Sequence, residues 1–252
     1  MDNRLKNIAL LIDADNVKAE GIDPVLTVLA ELGQVNIRRA YGNWAKPGLT
    51  NWSKHTHRYG LQPVQQFDMT RGKNATDMAM TIDAIDLLYD GKVDGFGIMS
   101  SDSDFTPLAT RLRQDGITVY GFGDSKTPEA FRTACTRFIE VDALIASASS
   151  NEEVETDGEE ENEAPRSSRR KPSAKTPVDQ EVIDLLGAAW KASRRDAQGF
   201  AQLGEMGKIA NNRSSFDVRN FGYRRLVDLI EACGQQFQVE RRDDAVYVKR
   251  LR

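Results

Sequence analysis

Short apolar runs alternate with longer amphipathic stretches over the first 145 or so residues. Ile8-Ala9-Leu10-Leu11-Ile12 and Gly95-Phe96-Gly97-Ile98-Met99 are almost free of polar side chains. That is the pattern of strands buried on both faces of a parallel sheet. Val35–Tyr41, Leu61–Phe67 and Ile117–Phe122 read as further strands, and Phe138–Val141 as an edge strand. Asp23-Pro24 predicts a helix start, with a capping carboxylate and a proline in the first turn, and Gly33 its end. Met78, Ile82, Ile85 and Tyr89 form a stripe at helical spacing within Thr76–Tyr89. Phe105–Gln114 reads as a helix closed by Gly116, and Thr127-Pro128-Glu129 opens another. A polar, Trp-containing segment joins the second and third strands. Strands alternating with helices predict an α/β fold, a parallel sheet flanked by helices.

The pattern breaks near Ala148. Glu152–Glu163 is an acidic run, followed by Arg166, Arg169, Arg170 and Lys171 among Ser and Pro. Low apolar content with blocks of like charge predicts a disordered linker. Periodicity returns at Val178. Val182–Leu186, Ala201–Ile209 and Arg224–Ile230 read as three helices, the last closed by Gly234. Phe237–Glu240 and Ala245–Val248 flank Arg242-Asp243-Asp244, a hairpin signal. Three helices and a hairpin predict a small winged helix-turn-helix domain. The expected organisation is therefore residues 1–147, a charged linker 148–176, and residues 177–252.

Composition narrows the function classes. The net charge is −4, so nucleic-acid binding has to rest on local patches. The N-terminus has no apolar signal-like core, and no run approaches the ~20 apolar residues that span a bilayer. Two cysteines in separate domains, Cys135 and Cys233, argue against a structural disulfide and fit a reducing cytoplasm. Two cysteines and two histidines leave little for a zinc site.

The chemistry is in the carboxylates. Asp13-Ala14-Asp15-Asn16 and Ser100-Ser101-Asp102-Ser103-Asp104-Phe105 each follow one of the two apolar strands. Ligands of open α/β sheets bind outside the carboxyl ends of the strands. Carboxylates crowded there repel one another unless a cation lies between them, and oxygen-rich sites suit Mg²⁺ or Mn²⁺. Asp77 opens a helix as a third acid. Taken singly, Asp77 and Asp104 also read as first-turn acids favoured by the helix dipole, and Asp15 as a solvated side chain.

Asp13 with Asn16, Asp77 after a lysine, and Ser-Ser-Asp-Ser-Asp-Phe, in this order, resemble the NYN domain, a PIN-like nuclease group that includes the LabA-like (DUF88) proteins. Arg39-Ala40-Tyr41-Gly42-Asn43-Trp44, Ile82–Leu88 and Phe105-Thr106-Pro107-Leu108 support the likeness, which covers about residues 5–145. The resemblance implies metal-dependent hydrolysis of phosphodiesters, usually in RNA. It implies Asp13, Asp77, Asp102 and Asp104 as the acidic set around Mg²⁺ or Mn²⁺. Asn16 would orient a ligand or bound water, with Asp15 outside that set. Phe200–Gly207, Phe221-Gly222-Tyr223-Arg224-Arg225-Leu226 and Val246-Tyr247-Val248 resemble the OST-HTH (LOTUS) domain over about 178–250. Such domains are implicated in RNA binding, and some bind proteins instead.

Residues 38–60 mix basic groups with aromatics, a composition that suits single-stranded nucleic acid. Arg39, Trp44 and Lys46 are the candidate RNA contacts there, with Lys73 outside that segment, and Arg224 and Arg225 in the C-terminal domain. Packing and solvated faces explain the same residues without RNA. His55-x-His57 reads as two surface histidines. The expectation is a cytoplasmic endoribonuclease whose C-terminal domain holds RNA. The alternative is a non-catalytic RNA-binding or regulatory protein that keeps the fold. A phosphatase of the haloacid dehalogenase type, with Asp13 as nucleophile and Asp15 as acid/base, expects Thr or Val where Asn16 stands. A homodimer, and a protein partner for the C-terminal domain, are left open.

Overall fold

The apolar run that opens the chain becomes the centre of a parallel sheet. In the computed structural model, which describes residues 5–67, 75–152, 178–242 and 245–251, the strands are β1 (Leu5–Asp13), β2 (Gly33–Gly42), β3 (Gln62–Gln65), β4 (Gly95–Met99), β5 (Thr118–Gly123) and β6 (Arg137–Glu140). They pair in parallel in the order β3-β2-β1-β4-β5-β6. The chain starts at mid-sheet, winds outward through β2 and β3, and returns to β4 on the other side of β1. Strand order therefore reverses between β1 and β4. Connections leave their carboxyl ends in opposite directions and open a crevice there.

The connecting helices are α1 (Ile22–Leu32), α2 (Trp52–Tyr59), α3 (Ala75–Tyr89), α4 (Thr106–Gln114) and α5 (Glu129–Ala134); α6 (Val141–Glu152) follows β6. Alternation along β1 sorts its side chains between the two faces. Ala9 and Leu11 pack into one core with Met80 and Ala84 of α3, Leu108 and Leu112 of α4, and Phe131 of α5. Leu10 belongs to the opposite face, against α1. A Cβ on Gly97 would stand 3.0 Å from Leu29 Cδ1 and 3.2 Å from Leu10 Cδ1, so the missing side chain lets α1 close on the sheet. Each large apolar side chain buried here contributes roughly 1.5–3 kcal/mol.

The C-terminal unit has α7 (Gln180–Ala192), β7 (Ala201–Gln202), α8 (Leu203–Arg213), α9 (Leu226–Ala232), β8 (Phe237–Arg242) and β9 (Ala245–Arg250). The three strands form an antiparallel sheet in the order β7-β9-β8. Leu186, Ala201, Met206, Leu229, Ile230, Phe237 and Val248 are its buried centre. Three helices and a three-stranded wing match the expected architecture.

Several local expectations change. Residues 148–152 continue α6, where the linker was expected to begin. Ala, Ser and Glu all allow the helix to run on. The rest of that linker, 153–176, lies outside the described residues, as do residue 177, Lys73 and the hairpin residues Asp243-Asp244. Ala201-Gln202 pairs with β9 before its helix starts. The polar segment after β2 holds α2, absent from the sequence reading. Of the stripe on α3, only Ile85 packs against the core, where it is partly buried. Met78, Ile82 and Tyr89 are 64%, 58% and 73% exposed, whereas Met80, Ala84 and Leu87 face the core. Cys135 and Cys233 are both buried and free. No helix among the described residues is long and apolar enough to cross a membrane.

Candidate active site

Asp13 continues the odd-numbered face of β1, after Ala9 and Leu11, and so points toward the side covered by α3 and α4. Phe96 and Ile98 occupy the same face of β4, and Ser100 is next in that alternation. Because Ile12 pairs with Met99, Asp13 and Ser100 come side by side. The Ser100 hydroxyl donates to Asp13 Oδ2 at 2.8 Å, and Asn16 Nδ2 donates to the same oxygen at 2.8 Å. Asp13 and Ser100 are both fully buried. Asp13 Oδ1 is buried too and has no hydrogen-bond partner among the described residues.

The loop after β4 is held by its own polar groups. Ser100 Oγ accepts from the Asp102 N–H at 3.1 Å, and Asp102 Oδ1 accepts from the Asp104 N–H at 2.9 Å. Ser101 Oγ accepts from the Asp124 N–H at 3.0 Å, which ties the loop to the end of β5. A Cβ on Gly123 would stand 2.8 Å from the Ser100 carbonyl oxygen and 2.5 Å from Thr127 Oγ1, so this approach needs glycine. Asp104 lies in a 3₁₀ turn, Ser103–Phe105, that leads into α4.

Asp77 stands in the first turn of α3. One carboxylate oxygen from each of Asp77, Asp102 and Asp104 lies within 4.8 Å of the others. Burial, and then the charges of Asp13, Asp102, Asp104 and Asp15, push the Asp77 carboxyl up to about 6. Burial also raises Asp13, against the hydrogen bonds from Asn16 and Ser100, and the charges of Asp15 and Asp102 add to the rise. These groups repel one another without a counter-charge. The donors are all carboxylate oxygens, and one buried Asp13 oxygen is unsatisfied. That set suits a hard divalent cation rather than zinc or copper.

The structure thus brings Asp77, Asp102 and Asp104 together. It places Asp13 in the buried layer beside them and uses the Asn16 amide to hold Asp13. Asp15 faces elsewhere: it accepts from Lys46 Nζ at 3.3 Å, Thr76 Oγ1 at 3.1 Å and the Asn43 N–H at 3.3 Å. Lys46 is half exposed in that pair. Arg39 is ion-paired with Asp83 of α3, which also accepts from the Tyr41 hydroxyl. The Trp44 indole donates to the Val64 carbonyl at 3.1 Å. His57 is exposed, whereas His55 is half-buried between the rings of Trp52 and Tyr59. In the C-terminal unit Arg224 is exposed, and Arg225 pairs with Asp228 at 2.6 Å.

Sequence reasoning assigned no role to Ser100, Thr76 or Asp83. Only Ser100 had a legible signal, since it continues the alternation of an apolar strand as a polar residue opposite Asp13. A buried Asp13 holding two hydrogen bonds does not present the exposed nucleophile that a phosphatase reading needs.

Comparisons with known proteins identify the two domains. The NYN domain model matches residues 7–144, and the OST-HTH/LOTUS domain model matches residues 176–248. The uncharacterized protein MJ0482 of Methanocaldococcus jannaschii is 28% identical over 123 residues, 46% of this chain and 47% of its own length. The chain thus spans about half the length of this curated relative. A crystal structure of a protein of unknown function, VPA0982 from Vibrio parahaemolyticus, covers 57% of this chain and 97% of its own at 21% identity and a TM-score of 0.48. A solution structure of an uncharacterized protein from gene locus NE0665 of Nitrosomonas europaea covers 35% of this chain and 91% of its own, at 28% identity and a TM-score of 0.27. Three converging carboxylates at the point where strand order reverses sit within a family match covering more than half of the sequence: the chain belongs to the NYN domain family and carries a C-terminal OST-HTH/LOTUS domain.

Proposed function

We propose that this protein is a metal-dependent endoribonuclease, hydrolysing RNA phosphodiesters at the carboxyl ends of β1 and β4. The observation that carries the reading is the convergence of Asp77, Asp102 and Asp104 within 4.8 Å, beside the buried Asp13. These four carboxylates would hold Mg²⁺ or Mn²⁺. When bound, such an ion offsets charge on the phosphodiester in flight and supplies an activated water.

The chain's own residues have separate tasks. Asp77 and Asp102 are half-buried and Asp104 is exposed, so the set opens outward, where a phosphodiester can approach. Ser100 and Asn16 fix the Asp13 carboxylate through one oxygen and leave the other for a ligand. The Asp102–Asp104 contact fixes the spacing of two of the acids. Lys46, paired with Asp15 at 3.3 Å, is a candidate for a phosphate contact once it exchanges Asp15 for RNA. The OST-HTH domain supports RNA as the polymer recognised.

The test is cleavage of end-labelled single-stranded and structured RNA in Mn²⁺, Mg²⁺ or EDTA. The chain is compared with Asp102→Asn. Internal cuts that need metal and vanish in the variant are expected. RNA binding without metal-dependent cutting would favour a regulatory binder instead.

A further inference from the structure

We infer that the C-terminal unit carries a nucleotide-binding cleft at the junction of α7 and β9, distinct from the Arg224–Arg225 helix start. The cleft, of about 480 Å³, is lined by Trp190, Ser193, Arg195, Gly199, Lys249 and Arg250, among others. It rests on the RNA reading above and names where RNA is held.

Three features distinguish this cleft from a solvated basic surface. First, Arg195 lies over the Trp190 ring at 4.8 Å, so indole and guanidinium together make a layered planar platform. Bases of single-stranded RNA stack on such surfaces. Second, two of its cations lack an acidic partner among the described residues. Arg195 is exposed and touches only the indole by its side chain, and Lys249 Nζ approaches only the Phe200 ring, at 5.6 Å. Asp196, which also lines the cleft, is paired with Arg242 at 2.5 Å, and Arg250 lies 3.8 Å from Asp184, so the uncompensated cations are Arg195 and Lys249. The cleft therefore presents uncompensated positive charge in a chain of net charge −4. Third, the Trp190 indole N–H is buried without a hydrogen-bond partner. Buried donors are nearly always satisfied, so an orphan is a mark of a missing acceptor.

A nucleotide of single-stranded RNA meets all three. Its base stacks on the Arg195–Trp190 layer, its phosphate meets Lys249 and Arg250, and it carries acceptors for the indole N–H. An acidic peptide would meet the cations but has no use for the platform.

The experiment uses the full-length chain in EDTA, so that binding is read without cutting. A fluorescein-labelled single-stranded RNA of mixed sequence is titrated by anisotropy at several salt concentrations. Arg195→Ala and Lys249→Ala are each expected to weaken binding about tenfold, the loss of one stacked base or one phosphate contact. Lys249→Ala should also lower the salt slope by about 0.7. Cleavage at saturating RNA with metal should be unchanged in both. Binding within twofold of the parent in both variants overturns the cleft while leaving the nuclease intact. So does a labelled oligo-glutamate that binds the parent and not Lys249→Ala while RNA affinity stays constant. A parent that binds no RNA overturns both readings. Unchanged thermal unfolding separates a lost contact from a lost fold, and Lys249, half exposed on a strand, keeps the test open should Arg195→Ala disturb Trp190.

Discussion

Ser100 shows how one hydroxyl can set an acidic site. Its oxygen donates to Asp13 and accepts from the Asp102 N–H, so a single group positions both a buried carboxylate and the loop beside it. Ser100→Ala removes one of the two donors to a fully buried carboxylate. Stability should fall by about 1–3 kcal/mol, read by denaturant unfolding. Cleavage should fall further than that loss of fold explains. Unaltered cleavage would mean that Asn16 alone holds Asp13. Asp77 gives a second test, with its sign set by burial and like charge. Its carboxyl is raised from 3.8 to about 6. The folded state therefore holds the proton more tightly than the unfolded chain. The associated stability is present below about pH 4 and disappears as pH rises through 6. In EDTA, Asp77→Asn should unfold at the same temperature as the parent at pH 4 and at a higher one at pH 8. The gain should be about 1 kcal/mol, discounted for partial exposure. Equal curves at both values would show that Asp77 is not crowded. Metal should reverse the order at pH 8, because only the parent has the full set of carboxylates.

At the scale of elements, α3 has to be held in register for Asp77 to meet Asp102. Asp83, farther along α3, accepts from both Arg39 and Tyr41 of β2 and so clamps the helix to the sheet. Asp83→Ala should cost about 2 kcal/mol and raise the metal concentration needed for half-maximal cutting. A shift in unfolding with no change in metal demand would make the clamp purely structural. This network marks where reading the sequence stops. Apolar runs fix strands because burial on both faces leaves few alternatives, so β1, β4 and β5 were legible, and with them the sheet edge that bears the acids. Helix faces were less so. Met78, Ile82 and Tyr89 have the right spacing, yet α3 buries the row of Met80, Ala84 and Leu87, which is apolar at the same helical period, so spacing alone did not choose between the two faces. Helix α2 has few apolar residues, and its one deeply buried side chain, Trp52, gives no periodicity. Arg39 read as a cation for RNA because its partner lies 44 residues away. No local pattern announces such a pair.

For the whole molecule, the question is how cutting and gripping are divided. The acidic site draws its residues from β1, α3 and the loop after β4, all within the NYN match. The cleft beside Trp190 lies in the C-terminal unit, with Trp190 to Gly199 inside the OST-HTH match and Lys249 and Arg250 just past its end. If chemistry belongs to the first and affinity to the second, the two should separate kinetically. Binding energy from a remote part of the substrate lowers the concentration needed for saturation, and it raises the rate only when spent at the reacting centre. Deleting residues 178–252 should therefore raise the half-saturating RNA concentration by about tenfold or more, as expected when a second contact on one polymer is lost. The rate at saturation should stay within about twofold. A fall in that rate, with affinity unchanged, would mean that the C-terminal unit acts on the chemistry rather than on capture. Short RNA sharpens the distinction. An oligomer too short to engage both units should be cut alike by the full and shortened chains, and the advantage of the full chain should grow with RNA length until both sites are filled.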